Sequence, residues 1–146
     1  MKIDGITGDS AGAGHLGEIT LDSWSFGLSE RAPSGSSGTG AGKVTFQDVH
    51  CAADSGGQSP ELFLSVASGQ HQATAVLSSV NAEQEAGLPE ITLSNVLVSN
   101  YQASGQDGAA PIETFTSTYG KTQLSQSGAP PGSPAIGWDR IANQKV

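Results

Sequence analysis

The chain is short of several things at once, and each shortage excludes a class of protein. Its 146 residues hold only 6 Lys and Arg against 14 Asp and Glu, a formal net charge of -8. No basic stripe can be built from so few cations, so nucleic acid is excluded as a partner and anionic lipid surfaces are disfavoured. No apolar run approaches the length of a membrane span, and the opening MKIDGITGDS has no apolar signal-peptide core. These absences predict no membrane insertion and synthesis into the cytoplasm. Cysteine occurs once, at Cys51, which cannot form an internal disulfide.

Catalytic equipment is equally sparse. The histidines, His15, His50 and His71, are scattered. Asp48 and His50 share a strand face at i and i+2 while Cys51 points the other way, so no Cys-His pair forms within the strand. No His/Cys/Asp cluster has metal-ligand spacing, and Glu83 and Glu85 read as solvated acids in a turn. GAGHLG at 12–17 matches the dinucleotide pattern formally, but EITLDSWSF follows where a helix must begin. Lys43 is followed by Val44, and Ser37 stands where a phosphate loop needs its first glycine. The residues therefore predict no enzyme, no metal and no cofactor.

What is present is glycine and β-forming residues. The 20 glycines, together with abundant Ser, Thr, Ala and Val, favour many strands and turns within one domain, residues 1–146. One stretch, Gly42 to His71, organises the rest. Lys43 to Cys51 alternates as a strand, and a single helix follows. Ser59 is its expected N-cap, Pro60 suits the first helical position, Glu61 complements the dipole and Gly69 ends it. Leu62, Phe63, Val66 and Ala67 form its apolar stripe, with Leu62, Phe63 and Val66 expected to pack on a β-surface.

The remaining strands are Lys2 to Ile6, Glu18 to Leu28, Gln72 to Val80, Glu90 to Tyr101, Ile112 to Leu124 and a strand in the tail AIGWDRIANQKV. Two of them carry apolar residues on both faces. In Glu18 to Leu28, Ile19 and Leu21 oppose Trp24, Phe26 and Leu28; in Glu90 to Tyr101, Ile91, Leu93, Leu97 and Tyr101 oppose Val96 and Val98. In the first, either a bulge sits near Asp22 and Ser23 or both faces are buried, one against the core and the other against a neighbouring subunit; in the second, too, both faces carry apolar groups, a pattern that one core is not expected to satisfy. Trp24, Phe26, Tyr101 and Trp138 are expected as core or subunit-interface anchors. Six or seven strands and one helix make a barrel or sandwich. The loop from Arg31 to Gly42 is too long for a turn, and a solvated linker and an interaction arm fit it equally.

The segments GKVTFQDVH, SPELFLSVASGQH, ITLSNVLVSNYQASG and GWDRIANQKV, with MKIDGITGDS and LDSWSFGLSE before them, resemble the haemolysin-coregulated protein (Hcp) family over nearly the whole chain. The resemblance implies a mainly β fold, a compact β-barrel of two antiparallel sheets with one flanking α-helix. It implies homohexameric rings stacked into the inner tube of the bacterial type VI secretion system. A contracting sheath expels this tube towards a target cell, without a signal peptide. Implied partners are the chain itself, tube-tip spike and sheath proteins, and effector cargo in the lumen. Ser34, Gly35, Ser36, Ser37, Gly38, Thr39 and Gly40 are then expected to act between stacked rings. A secreted hydrolytic effector and a monomeric ligand-binding barrel are the alternatives, and the end at Val146 leaves the effector no room for an extension.

Overall fold

The computed structural model describes residues 1–31, 43–80, 88–126, 129–130 and 133–146. In chain order the elements are β1 (Lys2–Ile3), β2 (Ser23–Ser25), β3 (Leu28–Arg31), β4 (Lys43–Phe46), β5 (Val49–Asp54), α1 (Ser59–Ser68), β6 (His71–Ser78), β7 (Pro89–Ser104), β8 (Ile112–Gln126), β9 (Ile136–Asp139) and β10 (Gln144–Lys145). The main sheet runs β1-β6-β7-β8-β5-β2, and β3 and β4 make a second, two-stranded sheet. All the pairings are antiparallel. The axis of the molecule is the β7–β8 hairpin, paired from Pro89 with Gln126 to Ser104 with Ile112. The far edge of β8 is shared: its first half holds β5 and its second half holds β9, which carries β10.

The expected mainly β fold of two sheets with one flanking helix is what forms. Its edges are not closed by a ladder; β1 and β2 lie at opposite ends of the strand order. The segment between them bridges the seam, with Met1 and Ile19 exchanging hydrogen bonds of 2.7 Å each way and the Asp22 N–H donating to Ala52 O at 2.9 Å. Ile19, 1% exposed, is thereby a core residue outside any strand.

Two-faced strands turn out to be single faces that change phase. In β7, Ile91 and Leu93 are buried, then Val96 and Val98. Between the pairs Asn95 has φ 55°, a left-handed residue at which the buried side changes while the pairing with β6 and β8 keeps its register, and a register shift follows between Val98 and Asn100. Tyr101 then packs against the same core. Glu18 to Leu28 is likewise two short strands and a seam instead of one long strand. Lys43 to Cys51 also breaks, at Gln47 and Asp48, into β4 and β5. One core takes up the pattern of β7, whereas in 18–28 it takes Ile19, Leu21 and Phe26 and leaves Trp24 and Leu28 41% and 57% exposed.

The helix forms where its stop signal placed it, with Gly69 at φ 64° closing its end. Its start is one residue earlier than expected: Gln58 occupies the N-cap without a side-chain cap bond, and Ser59 is the first helical residue. Freed from capping, the Ser59 hydroxyl donates to Glu113 Oε2 at 2.7 Å and accepts from the Gly56 N–H at 3.0 Å. The stripe is also corrected. Leu62 (0% exposed), Ser65 and, partly, Val66 face the sheet, whereas Phe63 is 62% exposed. Contact along i, i+3 and i+4 turns position i+1 about 100° away from the seam, which is where Phe63 stands.

Candidate assembly surfaces

The residues that looked closest to chemistry are parted by the fold. Asp48 lies before β5 and pairs with Arg140 at 3.7 Å. His50 faces outward on β5, its Nδ1 3.0 Å from Thr116 Oγ1. Cys51 turns inward, with its thiol donating weakly to Met1 Sδ at 3.8 Å, and burial pushes its pKa up to about 12. A buried thiol held protonated is no nucleophile. Among the described residues no group of three His, Cys, Asp or Glu is placed to hold a metal.

A polar cluster that sequence reasoning missed ties α1 to the hairpin. Glu113, 0% exposed on β8, accepts from Gln58 Nε2 at 2.6 Å, Ser59 Oγ at 2.7 Å and Tyr101 OH at 3.1 Å. Burial, then the hydrogen bond to Glu113, raises the Tyr101 pKa. A carboxylate with three donors at a helix N-terminus is a satisfied structural pin. The only hint in the sequence is a charged residue inside the Thr-rich run of β8.

Among the described residues, exposed apolar side chains gather at two places along the hairpin. At one end of the hairpin a groove of about 860 Å³ is walled by Leu28, Phe46, Leu124, Ile136 and Trp138. Leu28, Leu124 and Ile136 are 57%, 43% and 63% exposed. Trp138 Nε1 and Thr122 Oγ1, neighbours across the β8–β9 ladder, are buried at its floor with no hydrogen-bond partner among the described residues. Towards the other end, α1 presents Phe63 and Leu64, 62% and 60% exposed, with Phe63 set edge-on to Tyr101 at 6.5 Å and 78°.

The four expected anchor aromatics therefore divide. Phe26 and Tyr101 pack on the core, Phe26 meeting Tyr119 at 6.0 Å, while Trp24 is 41% exposed on β2 and Trp138 lines the groove. Arg140 fastens the groove's floor: its guanidinium lies 4.4 Å from the Tyr119 ring centroid and 5.7 Å from that of Phe46, and Nη1 donates to Tyr119 O at 3.0 Å. The expected stacking residues Ser34 to Gly40, and the acidic turn with Glu83 and Glu85, lie outside the described residues.

Comparison with known proteins supplies what geometry alone does not. The family described as type VI secretion system effector, Hcp, matches residues 1–125. The crystal structure of Hcp1 from Salmonella typhimurium superposes with a TM-score of 0.81 at 26% identity, covering 99% of this chain and 95% of that one. A type six secretion system protein gives 0.86 at 22%, covering 99% and 96%. A type VI secretion system effector from Yersinia pestis gives 0.77 at 22%, covering 94% and 96%. The comparison with curated proteins gives no match. With the family match spanning most of the sequence and the fold shared nearly from end to end, this chain belongs to the Hcp family of the type VI secretion system.

Proposed function

We propose that this chain is the repeating subunit of a type VI secretion tube. Six copies form a ring, rings stack, and the tube is expelled with effector cargo in its lumen. Hcp is a family of structural, secreted tube proteins and not of enzymes. On the molecule itself, the supporting observation is the pair of unmatched apolar surfaces, the groove at one end of the β7–β8 hairpin and the Phe63–Leu64 face towards the other. Apolar patches of this kind mark places where protein meets protein. Because the two surfaces differ, contact between them is head-to-tail, and such contacts close into rings or continue as filaments.

Spike and sheath proteins are the further partners under this reading, and the Gly/Ser-rich segment from Ser34 to Gly40 engages the next ring. Ordering a segment rich in Gly and Ser costs roughly 1 kcal/mol or more per residue, so a neighbour must supply backbone partners. Six such contacts made together raise one another's effective concentration. Net charge sets a condition: at -8 per copy, subunit contacts must keep carboxylates apart or in water. Sedimentation of the purified chain at tens of micromolar in physiological salt tests the proposal. A ring-sized particle is expected, and a monodisperse monomer would refute it.

A further inference from the structure

Residues 7–22 enter no strand or helix, yet they span the gap between β1 and β2, which lie at opposite ends of the strand order. They hold one another by main-chain bonds. The Gly8 N–H donates to Gly17 O at 2.8 Å, the Gly17 N–H to Ser10 O at 2.8 Å and the Ser10 N–H to Glu18 O at 3.0 Å. Their hold on the rest of the molecule is slighter. Only Gly8 and Ile19 among them are buried, and a cleft of about 820 Å³ lies between them and the end of β6 at Leu77 and Ser78. We infer that residues 7–22 are a strap over the β1–β2 seam that opens and closes as one unit, latched to the start of α1 by two carboxylates. The strap belongs to the single chain and does not depend on assembly.

The latch is reciprocal. Asp9 Oδ2 accepts from the Gly57 N–H at 2.7 Å just before α1, and Glu61 Oε2, in the first turn of α1, accepts from the Thr7 N–H at 2.6 Å. Each segment lends the other a carboxylate for a main-chain donor, and charge-assisted bonds of this kind are stronger than neutral ones. Glycine is required opposite Asp9: a Cβ on Gly57 would stand 2.6 Å from Asp9 Oδ1, and one on Gly56 would meet Oδ2. Beyond the latch, the strap holds the core through Ile19, which exchanges main-chain bonds with Met1, and through the Asp22 N–H on Ala52 O. Met1 in turn covers Cys51, its Sδ 3.8 Å from Sγ. Segments with few buried apolar contacts open at a lower cost than global unfolding. Lifting this one frees Met1 and uncovers the thiol, so the chain carries its own reporter. It also frees the edges of β1 and β2, and unpaired edges template pairing between chains, which is what a closed latch prevents.

The rate at which dithionitrobenzoate labels Cys51, 4% exposed in the closed form, tests this at chain concentrations below assembly. In the wild type the rate should depend weakly on urea at first and steeply once global unfolding takes over, because the urea slope follows the surface exposed. Asp9→Ala should raise the low-urea rate about tenfold. Leu62→Ala, which weakens the open and closed forms alike, should leave that rate unchanged while lowering the global midpoint. Gly57→Ala should raise the rate in the wild type and hardly at all in the Asp9→Ala background, since its clash is with that carboxylate. Labelling that follows urea with the global slope throughout overturns the strap as a separate unit. A low-urea rate that Asp9→Ala does not move overturns the latch, and so do fully additive effects of Asp9→Ala and Gly57→Ala. Should Asp9→Ala fail to fold, Asp9→Asn keeps the shape and loses the charge: a smaller rise is expected from it, and no rise refutes the latch.

Discussion

Leu62 and Phe63 are adjacent on α1 and should respond to alanine in opposite ways. Leu62 is fully buried in the main core, so Leu62→Ala removes apolar atoms and leaves a cavity that the neighbouring β7 cannot fill. The expected loss is about 3 kcal/mol, within the range of about 2–5 kcal/mol for such truncations. In a domain of this length that corresponds to a fall in Tm of about 6–12 °C. Phe63 is 62% exposed and keeps only an edge contact with Tyr101. Its loss removes a minor part of a ring's burial and gains the better helix propensity of alanine, for a net cost of about 0.5–1 kcal/mol. Both variants are unfolded with urea and followed by circular dichroism, at concentrations below ring assembly so that only the monomer is read. Equal losses would mean that the helix is rotated about its axis relative to the seam described here. At assembling concentrations the order should change, with Phe63→Ala lowering the ring population and Leu62→Ala acting mainly through folding.

The remaining predictions concern pH and the long loop. Burial pushes both Cys51, from 9.0, and Tyr119, from 10.0, up to about 12. Both are neutral when protonated, so the unfolded chain ionises first; the stability they contribute is full below about pH 9 and falls as pH rises towards 12. Urea midpoints measured from pH 8 to 11 should decline, and Tyr119→Phe should flatten the upper part of the curve; a level profile in the wild type refutes this. Replacing Ser34 to Gly40 with a two-residue turn should leave rings intact while removing end-to-end stacking and export. Tubes and normal export from the shortened protein would show that the segment is only a connection.

Sequence by itself settled what depends on local chemistry. Gly69 had to end the helix because a left-handed residue stood there, Pro60 fitted the first turn, and alternating runs became strands because one side of each meets a core. The family resemblance was legible at the same level. Tertiary structure decided whatever depends on which elements touch. Apolar residues on both sides of β7 looked like two buried faces, yet Asn95 and the slip after Val98 return them to one core, a backbone event that period-two reading does not foresee. Phe63 looked like core because it shares a broad stripe with Leu62, but a helix lying on a sheet buries only the residues along its line of contact, and that line passes through Leu62, Ser65 and Val66. Glu113 became a buried pin, and Trp138 became the floor of a groove, because distant strands and the helix start converge on them. Such convergence joins residues far apart in sequence, and no local periodicity records it.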